Sequence, residues 1–185
     1  MNQSIIEVPH KTLRQKAEPV SDLFSKKTRD QIQFLVDTLL SAKNPEGVGL
    51  SFPQVDLSLR GFVTHLDHKI KIYLNPKIID LDDKLTLGGH TPDRPTLEGC
   101  LSIPWLYGPV WRPKKIKIQA YDEHGVEFTK TLTSFRARVF LHEYDHLEGV
   151  LFTDYTLRDE LPLYLLDQDK DSFTKIEDPK AIIKW

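Results

Sequence analysis

The segment Leu141-His142-Glu143-Tyr144-Asp145-His146-Leu147 constrains this chain more than any other. Two histidines four residues apart lie on one face of a helix, with Cβ atoms roughly 5–6 Å apart. Both imidazoles can then reach one metal ion, and Glu143 sits beside them as a carboxylate able to move protons. Phe135, Val139, His142 and His146 follow at helical offsets, so one stripe carries both histidines to the inward side. Such a helix belongs at the centre of a fold, with other elements around it. Ser134 is its expected N-cap.

The remaining elements are read around that helix. Over residues 28–42, Ile32, Leu35, Val36, Leu39 and Leu40 fall at helical spacing, and Asn44-Pro45 ends the run. Residues 47–55 hold too many glycines and prolines for a regular element. Residues 59–65 and 70–74 predict two strands joined at Asp67 and His68. Asn75-Pro76 breaks the second strand, residues 78–81 form another, and residues 88–95 form a loop. Residues 115–121 alternate apolar and polar, and residues 126–132 return after a turn at Asp122-Glu123-His124-Gly125, giving a hairpin. Strands joined by hairpins and segregated from two helices indicate an α+β fold, with antiparallel strands around a central metal-binding helix. The whole, residues 1–185, is expected to be one domain, with 156–185 an atypical C-terminal tail.

The net charge of -2 gives no global reason to expect nucleic acid or an anionic membrane as partner. The basic cluster from Arg112 to Lys117 reads as a solvated strand face. No apolar run approaches the ~20 residues that span a bilayer. The N-terminal region lacks an apolar core behind a basic start and carries Glu7, Glu18 and Asp22, so neither a secretory nor a mitochondrial leader is expected. One cysteine permits no intrachain disulfide, which fits a reducing compartment and a cytoplasmic protein.

A catalytic zinc-like site takes three protein ligands and leaves one position open. His142 and His146 supply two. Cys100, in Glu98-Gly99-Cys100-Leu101-Ser102, taken by itself reads as a buried small hydrophobe rather than a ligand. Beside the histidine helix it becomes the third. A Cys-His-His set suits zinc or ferrous iron better than magnesium or calcium. For a hydrolysis, Glu143 is the candidate general base and acid. Gln54 and the backbone N–H of Leu101 are the candidate donors to an oxyanion. Val48, Phe135 and Val139 are candidates for an apolar pocket near the metal, with the stem of Arg138 at its rim. Trp105, Leu106 and Tyr107 form an aromatic strip at the expected cleft edge.

Three segments now line up: Gly47-Val48-Gly49-Leu50-Ser51-Phe52-Pro53-Gln54, Glu98-Gly99-Cys100-Leu101-Ser102, and His142-Glu143-Tyr144-Asp145-His146. In order and spacing they resemble the signature motifs of peptide deformylases. The resemblance implies hydrolysis of the N-formyl group from the initiator methionine of nascent polypeptides, releasing formate and a free amine. It implies that Cys100, His142 and His146 hold the metal, natively ferrous iron and replaceable by nickel, cobalt or zinc. Glu143 would be the acid and base, Gln54 and the Leu101 N–H would hold the formyl oxygen, and Gly49 would pair with the substrate backbone. The expected partners are formyl-Met chain ends, with no membrane or direct nucleic-acid contact.

The chain departs from the family pattern in places. Ser51 and Phe52 stand where small alanines are usual, so Phe52 is expected to narrow the cleft. Leu141 replaces a glutamine before the first histidine. Many bacterial members end in a long basic helix used to dock on the ribosome. Here acidic residues outnumber basic ones after Leu157, and Pro162 and Pro179 interrupt the run, so no ribosome docking is expected by that route. Two other readings compete: a metallopeptidase that cuts internal bonds, and a deformylase-like scaffold that binds peptide ends without turnover.

Overall fold

The computed structural model describes residues 4–89 and 94–185. After a single 3-10 turn at Lys11–Arg14, helix α1 spans Lys26–Ser41, capped by the Ser25 side chain, which accepts from the Thr28 N–H. Strands β1 (Gly49–Ser51), β2 (Gly61–Leu66), β3 (Lys69–Leu81), β4 (Leu85–Thr86), β5 (Leu97–Cys100) and β6 (Ile103–Pro109) follow. Next come β7 (Arg112–Pro113), β8 (Lys115–Tyr121), β9 (Glu127–Thr133), α2 (Ser134–Leu147) and α3 (Phe152–Arg158). Strands β10 (Tyr164–Asp167) and β11 (Ser172–Lys175) and the one-turn α4 (Pro179–Ile182) complete the chain.

The strands form antiparallel sheets in the orders β1-β2-β3-β8-β9 and β11-β10-β6-β5, with a small pair β4-β7. Strand β2 is buried without alternation through Gly61, Phe62, Val63 and Thr64, the mark of a strand covered on both faces. Phe62 joins Tyr73, Ile116, Ile118 and Phe140 in the core beneath α2. Its neighbour Val63 points the other way, into a core with Ile32, Leu35 and Leu39 of α1. The two helices thus lie on opposite faces of the five-stranded sheet. A third core unites Cys100, Ile103, Leu106, Leu151, Phe152, Leu163 and Ile176. Helix α2 therefore lies between the first sheet and β5, which is what brings its histidines to Cys100.

Several sequence expectations need correction. Within residues 47–55, only Gly47 and Val48 are irregular: β1 pairs with β2, and Phe52–Val55 make a 3-10 turn. Asn75-Pro76 does not end a strand. It sits inside β3 as a bulge, with the register against β8 shifting between Leu74 and Lys77, one of the few strand sites that tolerate proline. Asn75, at φ +46°, is held there by accepting from Val20 N–H at 2.8 Å and donating to Val20 C=O at 2.9 Å. Ser134 is not the N-cap of α2. Thr133 occupies that position without a side-chain cap bond, while Ser134 takes φ +52° and its N–H binds Lys114 C=O. Phe52 does not narrow the cleft: it is fully buried in the α1-side core. The missing side chain of Gly61 makes that room, since a Cβ there would come within 2.8 Å of the Phe52 ring. Leu141 likewise joins the core beneath α2. Of the 88–95 loop, residues 90–93 lie outside the described residues.

Candidate metal centre

Helix α2 presents His142 and His146 one turn apart, and β5 ends at Cys100. One donor atom from each lies within 4.8 Å of the other two, and Cys100 Sγ is 3.3 Å from His146 Nε2. Ligands at about 2.3 Å (sulfur) and 2.1 Å (nitrogen) around a tetrahedral ion stand roughly 3.6 Å apart, so the spacing fits one cation. The donor set, one thiol and two imidazoles, suits a borderline or soft divalent metal. Burial holds His146 well below the usual imidazole range, in the neutral form a ligand requires.

The surroundings orient these groups. Glu98 is buried and its Oε2 lies 3.0 Å from His142 Nδ1. Burial alone would raise its carboxyl, but the Arg112 guanidinium beside it holds it well below the usual carboxylate range. An ionised carboxylate only accepts, so His142 Nδ1 carries the proton and Nε2 is left for the ligand cluster. Arg112 donates to both Glu98 oxygens (Nε 2.9 Å, Nη2 2.8 Å) and to Asp145 Oδ2 at 2.6 Å. Arg138 adds a bond to Glu98 Oε1 at 2.8 Å, and Tyr155 donates to Asp145 at 3.1 Å. Phe152 stacks near the His142 ring, with centroids 6.1 Å apart.

This polar network corrects the expectation of a solvated face for Arg112 alone, which is 4% exposed; Lys114, Lys115 and Lys117 of the same cluster are exposed as expected. Glu98, Arg112 and Asp145 are also what sequence reasoning missed. A signal was available, because Asp145 shares the inward face of α2 with His142, and a carboxylate buried there demands a buried cation.

A cleft of about 180 Å³ opens over the ligands. Of the residues singled out from sequence, Val48, Gly49, Gln54, Cys100, Leu101, Phe135, Val139, His142 and Glu143 all line it, whereas His146 lies behind. Val139 is buried, but Val48 and Phe135 stand at the mouth, 40% and 51% exposed, so Phe135 does not follow the rest of its stripe inward. Arg138 also lines the cleft, but it is buried rather than at the rim, and its head is committed to Glu98 and to the carbonyls of Val110 and Thr86.

Glu143 is buried, and its Oε2 has no hydrogen-bond partner among the described residues. Burial raises its carboxyl to about 7, against the opposing pull of His142. Gln54 Oε1 accepts from the Ser51 N–H and hydroxyl, both at 2.9 Å, which fixes the amide so that Nε2 faces the thiol at 3.5 Å and Ser102 Oγ at 3.3 Å. The departure at Ser51 thus contributes a second anchor for Gln54. The N-terminal segment ties these motifs together, with Ile6 N–H bound to Gln54 C=O and Val8 N–H to Ser102 C=O.

An α+β scaffold with a buried Cys-His-His metal-binding group and a carboxylate of raised pKa facing an open cleft defines a hydrolase. The particular lineage follows from the whole sequence: the polypeptide deformylase family model matches residues 2–160, and the chain belongs to that family. It is 37% identical over 165 residues to a peptide deformylase of Rhodopirellula baltica, covering 83% of this chain and 73% of that protein. Peptide deformylase 1B, chloroplastic/mitochondrial, of Arabidopsis thaliana is 38% identical over 155 residues, covering 81% of this chain but 52% of the relative, so the chain spans about half of its length. Among solved structures, a peptide deformylase from Synechococcus elongatus in complex with actinonin superposes with a TM-score of 0.73 at 30% identity, covering 92% of this chain and 86% of that one.

Proposed function

We propose that this protein hydrolyses the N-formyl group of formylmethionine at the start of nascent polypeptides, releasing formate. The observation that carries the reading is the buried Glu143 carboxylate, whose Oε2 has no hydrogen-bond partner among the described residues, beside the Cys100, His142 and His146 cluster in a chain of the deformylase family. Cys100, His142 and His146 would hold one divalent ion, ferrous iron by preference, with zinc, nickel or cobalt as substitutes. When bound, that ion supplies Lewis acidity and an activated water near neutral pH.

The chain's own residues do the rest. Glu143 takes the proton from the attacking water and delivers it to the amine as the C–N bond breaks, so formamide and water become formate and a free α-amine. Gln54 Nε2 and the Leu101 N–H donate to the formyl oxygen as it gains charge. Gly49 lets the peptide backbone lie close over Glu143, since even a Cβ there would meet the carboxylate carbon at 2.8 Å. Val48, Phe135 and Val139 enclose the methionine side chain.

Among the described residues no helix is long and apolar enough to cross a membrane. A cytoplasmic setting, where nascent chains emerge, fits that and the single free cysteine. Residues 161–185 form β10, β11 and the one-turn α4 rather than a long basic helix, so any docking on the ribosome would not use such a helix in this segment. Incubating the iron-loaded protein with formyl-Met-Ala-Ser and with Met-Ala-Ser tests the reading. Formate release from the first and no cleavage of either peptide bond are expected. Internal cleavage would instead support the peptidase reading, and affinity without formate the scaffold reading.

A further inference from the structure

The last strand pair lies beyond the residues matched by the family model, which end at 160. It is nevertheless built into the sheet that carries Cys100. Strand β10 pairs with β6, placing Tyr164 opposite Tyr107, and β6 pairs with β5, placing Tyr107 opposite Gly99. Residues opposite one another in a sheet share a face, so Gly99, Tyr107 and Tyr164 form one row. Phe173 lies opposite Leu166, two residues along β10 from Tyr164, and the pleat puts it on that same face.

Gly99 leaves its place in the row without a side chain, and the Tyr107 ring settles there. A Cβ on Gly99 would stand 2.7 Å from Tyr107 Cδ1. Gly99 and Tyr107 both line the cleft over the metal ligands. From the other side the Phe173 ring meets Tyr107 edge to face, with centroids 5.3 Å apart and planes at 78°. Tyr164 approaches the Phe173 ring, with centroids 6.4 Å apart. Phe173 is 49% exposed, so its main engagement is this aromatic contact rather than burial in a core.

We propose that the C-terminal hairpin is part of the substrate site. Phe173 is a positioning residue that presses the Tyr107 ring over the Gly99 backbone, where the ring walls the channel taken by the extended peptide. The proposal rests on the deformylase reading for the identity of that peptide. Losing one edge-to-face aromatic contact corresponds to roughly a three- to tenfold change in an equilibrium.

The test compares wild type with Phe173→Ala, Phe173→Tyr and Leu165→Ala on formyl-Met-Ala-Ser. Leu165 is exposed on the opposite face of β10 and controls for the integrity of the hairpin. Phe173→Ala is expected to raise KM about three- to tenfold at unchanged kcat, Phe173→Tyr to restore the wild-type KM, and Leu165→Ala to leave it unaltered. An unchanged KM in Phe173→Ala, or an equal rise in Leu165→Ala, overturns the proposal. Calorimetric affinity for Met-Ala-Ser is measured on the same proteins. If wild type releases no formate, the functional reading fails separately. The affinity ratio then still decides: a three- to tenfold loss in Phe173→Ala supports the brace, whereas equal affinities, or none in wild type, overturn it.

Discussion

Replacing Glu98 by glutamine tests whether the buried ion network, rather than the ligands alone, sets the metal site. The Glu98 side chain is 4% exposed and receives four donors: two from Arg112, one from Arg138 and one from His142. With Asp145 it balances two buried guanidiniums. Glu98→Gln keeps the shape but removes one negative charge and turns an NH₂ toward existing donors. Breaking a buried pair from one side costs about 3–5 kcal/mol. In a domain of this length, each kcal/mol lowers the midpoint by roughly 2–4 °C, so a fall of about 10 °C is expected. The same change frees His142 Nδ1, and loss of such an outer partner typically weakens metal binding about 10–100-fold. Thermal unfolding of chelated protein reads the first effect and competition with a chromophoric chelator reads the second. Glu98→Gln combined with Arg138→Met restores the charge balance and should recover part of the stability, a coupling visible in a double-mutant cycle. A loss below about 1 kcal/mol with unchanged metal affinity refutes the reasoning.

Other predictions follow from single contacts. Gly49→Ala pushes a methyl into the Glu143 carboxylate; kcat should fall roughly 100-fold while the unfolding midpoint barely moves, and near-normal turnover would contradict the placement. Burial pushes the Tyr73 hydroxyl up to about 12, above its unfolded value near 10. The neutral folded form is therefore favoured below pH 10, and that stability, roughly 2–3 kcal/mol, is lost as pH rises towards 12. Tyr73→Phe should flatten the alkaline limb of a stability–pH curve, and an unchanged limb would count against it. A thiol reagent should modify the single cysteine quickly after chelation and much more slowly with metal bound; equal rates would argue against ligation by Cys100.

The parts of this protein that were legible in its sequence are those set by local pattern. The α1 spacing of Ile32, Leu35 and Leu39, the alternation of β8 and the four-residue gap between His142 and His146 each report a periodicity that burial imposes. What escaped was set by partners distant in sequence. Pro76 reads as a strand break until Val20 satisfies the Asn75 amide and turns the break into a bulge. Arg112 reads as one of a basic surface run until β7 places it between Glu98 and Asp145. Phe52 reads as cleft-lining until Gly61, on the neighbouring strand, is seen to make room for it in the core. The C-terminal residues carry little pattern because their hairpin is fixed by pairing with β6.

The role of Glu143 is the point on which the chemistry turns. Glu143→Ala, loaded with iron under anaerobic conditions, allows bound metal and formate release from formyl-Met-Ala-Ser to be measured on one sample. Full metal occupancy with turnover reduced at least about 100-fold is the expected result. Retained turnover at full occupancy would contradict the assignment of Glu143 as the group that moves the proton.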